Sequence, residues 1–175
     1  MTPAEYVQLK AFARLDGARL ALLWVACFAC YIVGIANPLY SMVAIVLMIA
    51  TPFFVSRRLA KFRDEGLGGV ISFGRGWGYS LYVFLYASIL LALAQYVYFA
   101  FIDQGYLLKS FTEALSSSEA RQVVEQYGAQ QMIQESMEQF SQMRPIDYAL
   151  NILTVNIVIG AVLGLPIAAL IKKIK

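Results

Sequence analysis

Three residue groups have spacings that can carry chemistry. Gly74-x-Gly76-x-Gly78 opens an apolar run, and a glycine turn at a helix start can hold a phosphate on backbone N–H groups. Nucleotide sites of that kind need a preceding strand in a βαβ unit or a following Gly-Lys-Ser/Thr, and both are missing here. The glycines therefore read as a close-packing entry into a helix, with phospholipid or polyprenyl-phosphate contact as the functional alternative. Cys27-x-x-Cys30 has redox spacing but sits in an apolar run without βαβ context, which leaves the two thiols as inert packing residues. Arg57, Arg58, Lys61, Arg63 and Arg75 form a basic cluster suited to lipid headgroups, diluted by Asp64 and Glu65. With no histidine, the commonest general base and metal ligand is missing. No catalytic, cofactor-binding or metal-binding residues are expected, and nucleic acid has no fold to bind.

The elements that position these residues belong to a membrane. The chain has 175 residues, of which 60% are hydrophobic and 14% charged, with a net charge of +3 and mean hydropathy +0.64. Soluble domains carry about 25% charged residues. A span needs about 20 apolar residues, and four stretches qualify: Leu20–Ala36, Pro38–Val55, Trp77–Ile102 and Ile146–Ile171. Asn37-Pro38 makes a tight turn between the first two. The first span reads as retained rather than as a cleaved signal, because Glu5 and Asp16 precede it and a second span follows at once. Long apolar runs without alternation predict helices rather than barrel strands.

Charge sets the topology. Eleven Lys/Arg lie in the N-terminal segment (Lys10, Arg14, Arg19), in the loop bearing the basic cluster, and in the tail (Lys172, Lys173, Lys175). Only Lys109, Arg121 and Arg144 lie between the third and fourth spans. The positive-inside rule then puts both termini in the cytoplasm. The expected divisions are a cytoplasmic N-terminal tail (1–19), a transmembrane hairpin (20–55), a basic cytoplasmic loop (56–76), the third span (77–102), an extracytoplasmic amphipathic helical segment (103–145), and the fourth span with a basic tail (146–175). Trp77, Tyr79 and Tyr82 read as an interfacial belt at the inner end of the third span.

The outer segment is acidic and amphipathic. The third span is expected to run on into the Tyr106–Leu115 stripe. Ser116 with Glu119 is expected to cap a short helix that Gly128 stops, and Pro145 ends the next. Met132, Met137 and Phe140 recur at helical spacing beside Glu135 and Glu138, a candidate partner surface; packing on its own bundle is the competing reading. Gly160-x-x-x-Gly164 lets two helix backbones approach, either within the bundle or at a dimer seam. Gln95, Asn151 and Asn156 make a polar cluster in the outer half of the membrane.

The stretch Ile71–Leu107 carries a likeness, in its Ser72-Phe73-Gly74-Arg75-x-x-Gly78 entry and its Gln95-Tyr96-x-Tyr98-Phe99-x-Phe101-Ile102-Asp103 exit. It resembles the domain of unknown function 4199 family, small four-helix membrane proteins of Bacteroidetes. The resemblance implies a bacterial inner-membrane protein of unassigned function, with genes associated with glycosyltransferases acting on lipid-linked sugars. The fold expected is an all-α four-helix transmembrane bundle with an amphipathic helical insert between helices 3 and 4. The expected role is a non-catalytic accessory or scaffold subunit that contacts anionic lipid on its cytoplasmic side and binds another membrane protein or its own copies. A small oligomeric transporter or lipid-handling protein is the alternative.

Overall fold

The computed structural model describes residues 2–173, and of Glu119 the backbone alone. Helix α1 (Pro3–Gly34) starts well before the apolar run. Thr2 and Glu5 form a reciprocal capping box, with Glu5 N–H donating to Thr2 Oγ1 at 3.3 Å and Thr2 N–H to Glu5 Oε2 at 2.7 Å. Residues 3–19, read from the sequence as a tail, are thus helical. The reason is an apolar face that continues ahead of the apolar run: Leu9, Ala13 and Leu20 are buried at helical spacing in the core of the bundle. Asn37 Oδ1 accepts the Leu39 N–H at 3.1 Å and starts α2 (Pro38–Lys61), with proline in the first turn.

Helix α2 runs through Pro52 and widens into a π-helical turn, Phe62–Gly66. The basic stretch 56–66 is therefore helical, and the loop proper is short, turning at Gly68 and Gly69 with φ of 67° and 88°. Helix α3 (Phe73–Val97) ends in a second π-helical turn, Tyr98–Ile102. Then come α4 (Tyr106–Leu115), α5 (Ser118–Gln126), α6 (Gln130–Gln142) and α7 (Pro145–Ile171). Among the described residues no strand forms, only an isolated bridge between Ile71 and Lys173. Four helices are long and apolar enough to cross a membrane: α1, α2 with its π turn, α3 with its π turn, and α7. The chain is an all-α, multi-pass membrane protein with a helical insert between its third and fourth spans.

The chain divides into two units. One holds α1, α2, α3 through Ala94, and α7 from Leu150. Its core lies toward the terminal end: Leu9, Ala13 and Leu20 of α1, Val55 and Leu59 of α2, Tyr79, Val83 and Phe84 of α3, and Ile167 of α7. Phe62 stacks on Tyr79 with ring centroids 4.8 Å apart. Arg63 Nη1 donates to the Ile171 carbonyl at 3.0 Å, a cation on the C-terminus of α7. Lys173 follows, exchanging backbone hydrogen bonds with Ile71 at 3.0 and 3.1 Å. Lys175 of the basic tail lies outside the described residues. Toward the hairpin turn, α1 and α2 are joined by small polar contacts. Cys27 Sγ donates to the Ala44 carbonyl at 3.2 Å, and Trp24 Nε1 donates to buried Thr51 Oγ1 at 3.0 Å. Trp24→Phe is expected to lower stability by about 1 kcal/mol, as interhelical hydrogen bonds in membranes do. Detergent unfolding followed by the fluorescence of Trp77 measures it.

The other unit is Gln95–Ala149. The third span does not run straight on. Gln104 (φ 45°) and Gly105 (φ 82°) break the helix, and Asp103 recaps it by accepting the N–H groups of Gly105 and Leu107, each at 3.1 Å. The next cap is Ser117 rather than Ser116; its Oγ accepts the Ala120 N–H at 3.2 Å. Ser116 instead turns its hydroxyl back to the Thr112 carbonyl at 2.7 Å, closing α4. The side chain of Glu119 lies outside the described residues. Gly128 (φ 62°) stops α5 as expected. An aromatic cluster holds the unit: Tyr148 stacks on Phe99 at 4.4 Å and meets Phe140 edge-on at 4.9 Å, and its hydroxyl donates to the Phe140 carbonyl at 2.5 Å.

Candidate functional site

The most concentrated polar group in the bundle is one that composition conceals. Asp16 is 2% exposed. Its Oδ1 accepts Arg19 Nη1 at 2.8 Å and Arg58 Nε at 2.7 Å and lies 2.6 Å from Arg58 Nη2, and its Oδ2 accepts the hydroxyl of Tyr79. Each residue sits where its helix puts it. From Asp16 to the Asn37 turn, and from Pro38 to Arg58, is about twenty residues, or about 30 Å of helix. That equals the hydrocarbon thickness. A hydrocarbon layer that began at the turn would end at the node, at the end of the bundle that carries the termini. Both carboxylate oxygens are engaged and the side chain is buried, so the group locks three helices together. By sequence alone Asp16 counts as a tail charge and Tyr79 as an interfacial anchor. The signal available was the equal distance of Asp16 and Arg58 from one turn.

The basic cluster is largely spent inside the protein. Arg58 belongs to the node. Arg63 forks onto Asp64 at 2.7 and 2.9 Å. Arg75 reaches Glu5 Oε1 at 3.1 Å and Gln8 Oε1 at 3.4 Å. Lys61 faces Glu65 at 3.6 Å, and Arg57 is exposed. The glycine motif is not a loop. Gly76 already donates its N–H to Ser72 O at 3.0 Å, and a Cβ added there would lie 3.4 Å from that of Ala168. Gly76 serves close packing of α3 on α7, whereas a Cβ at Gly74 or Gly78 would meet nothing within 4 Å. Gly160 and Gly164 face α3 of the same chain: a Cβ at Gly160 would fall on the Phe84 side chain, and one at Gly164 would come within 3.1 Å of Trp77. Trp77, read as belt, donates Nε1 to the Ala161 carbonyl at 3.1 Å.

The polar residues predicted in the outer half do not share one face of α7. Asn151 and Asn156 are five residues apart, or about 140° around the helix; the first is exposed and the second half-buried. Gln95 is 3% exposed, and its Oε1 has no partner among the described residues. The family model described as a protein of unknown function, DUF4199, matches residues 16–173. The chain belongs to this family. The DUF4199 match begins at Asp16 and takes in every member of the node. No curated protein and no solved structure matches the chain. Among the described residues, no group of three or more His, Cys, Asp or Glu is placed to hold a metal ion.

The remaining feature is the surface of the Gln95–Ala149 unit. Of the predicted partner residues, Phe140 turns into the aromatic cluster and Met137 is half-buried. Met132, Glu135 and Glu138 stay exposed. Val123 of α5 and Tyr127 at its C-cap, not predicted as partner residues, lie one turn apart and are 53% and 77% exposed; Met132 of α6 is 68% exposed.

Proposed function

We propose that this DUF4199 protein is a non-catalytic accessory or scaffold subunit of the bacterial inner membrane, with both termini cytoplasmic, that holds another membrane protein through its outer unit. The observation that carries the reading is the exposure of Val123, Tyr127 and Met132 on helices whose remaining surface is acidic and glutamine-rich. Large exposed apolar side chains with a polar rim mark contact surfaces. Helices that lie on anionic membranes use a basic polar face, and here the rim is Glu125, Glu135 and Glu138. A glycosyltransferase acting on lipid-linked sugars is the partner class that the family resemblance suggests. The burial of Asp16 and its pairing with Arg19 and Arg58 support a structural rather than a catalytic use of the bundle.

The test is gentle purification from native membranes with mass spectrometry of co-purifying proteins. A stoichiometric membrane-protein partner is expected. Reversing Glu135 and Glu138 to Lys is expected to lower its recovery about tenfold. The unfolding midpoint should hardly move, since exposed substitutions change stability by about 0.5 kcal/mol or less. Undiminished recovery after the reversal overturns this reading of the surface.

A further inference from the structure

Two observations that the scaffold reading does not use meet at Arg19. The first is charge. Arg58 alone answers the single charge of Asp16, with two contacts at 2.7 and 2.6 Å. Arg19 is therefore a surplus cation. It spends Nη1 on Asp16 at 2.8 Å, its side chain is 45% exposed, and among the described residues its Nε and Nη2 donate to nothing. The second is shape. A shallow apolar groove is lined by Leu15, Ala18, Ala21, Leu22 and Val25 of α1 and Leu90 of α3, with Arg19 as its one charged residue. Helical side chains lean toward the N-terminus, so the guanidinium sits at the level of Asp16, at the hydrocarbon boundary. Val25 lies six residues, or about 9 Å, further toward the bilayer centre. The groove thus follows the acyl layer of one leaflet, with a cation at its headgroup end.

We propose that this groove binds one anionic glycerophospholipid from the leaflet at the terminal end of the bundle, its phosphate on Arg19 and an acyl chain along Leu22, Val25 and Leu90. Guanidinium matches phosphate through paired N–H donors, and Asp16 fixes the guanidinium in place through its remaining edge. The apolar wall accepts any acyl chain. Arg19 supplies the choice of headgroup charge.

The test is native mass spectrometry of the full chain in mixed micelles, titrated with phosphatidylglycerol or phosphatidylcholine of the same acyl chains. Wild type is expected to retain one phosphatidylglycerol in preference to phosphatidylcholine. Arg19→Gln should lose that preference, by about fivefold for one basic group at a membrane surface. Arg57→Gln, at an exposed arginine of α2, should keep it. Leu22→Trp fills the groove from a side chain 73% exposed, so it leaves the core untouched; it should lower retention of both lipids. Equal retention of the two lipids by wild type, or unchanged retention in Leu22→Trp, overturns the site. Water-soluble glycerol phosphate should not compete, and displacement by it would show a free phosphate site in place of a lipid site.

Discussion

Arg58→Met is expected to destabilise the bundle by about 3 kcal/mol, the lower end of the range for breaking a buried ion pair. The cause is an asymmetry in exposure. Asp16 is 2% exposed and Arg58 23%. Without Arg58, Asp16 keeps one contact from Arg19 and the Tyr79 hydroxyl, and it cannot reach water. Without Asp16, Arg58 can extend along its aliphatic stem into the headgroup region. Asp16→Leu should therefore cost less than Arg58→Met, although it strands the Tyr79 hydroxyl. The double variant should recover part of the loss, because an apolar pair replaces a buried charge pair at little cost. Unfolding in detergent, followed by the fluorescence of Trp24 and Trp77, orders the three variants. An Asp16→Leu protein less stable than Arg58→Met would show that the carboxylate organises the node and that the guanidinium merely neutralises it.

The node also shows where sequence reading ran out. The four spans were legible because lipid demands length and apolarity, and both can be read along one dimension. The ends of the spans were not. Residues 3–19 are polar enough to read as a tail, yet Leu9 and Ala13 sit one turn apart on a face that the other helices cover. The same blindness hid the cations: Arg58, Arg63 and Arg75 look like a lipid-facing patch until the fold brings Asp16, the Ile171 carbonyl and Glu5 to them. Charge counting sees the sum and cannot see the pairing. In the Gln95–Ala149 unit the helical period was readable from Met132 to Phe140. Which side of it faces inward was settled by Tyr148, eight residues beyond Phe140 and across a proline. Local signals such as Gly128 held, whereas the cap moved from Ser116 to Ser117 because Ser116 bonds backward into α4.

Gly160→Leu is expected to destabilise the bundle by about 3 kcal/mol, the upper end of the overpacking range. A Cβ at Gly160 falls on Cβ and Cγ of Phe84, itself 1% exposed and fixed by the core. The far end of a flexible side chain could swing aside, but a Cβ moves only with its backbone. Helices α3 and α7 must then part, and the strain passes to Gly164, where Trp77 and Ser80 leave 3.1 and 3.3 Å. Gly160→Ala should cost about 1–3 kcal/mol. Phe84→Ala removes Cγ but leaves Cβ, so with Gly160→Ala it should show coupling of about 1 kcal/mol in a double-mutant cycle and no full rescue. The same variants decide between the two uses of the glycine pair. If the pair closes the bundle, Gly160→Leu lowers the unfolding midpoint at every protein concentration. If it seals a dimer, the variant gives a stable monomer and the midpoint loses its dependence on concentration. Because Phe84 of the same chain already occupies the space a side chain would need, the first result is the one expected.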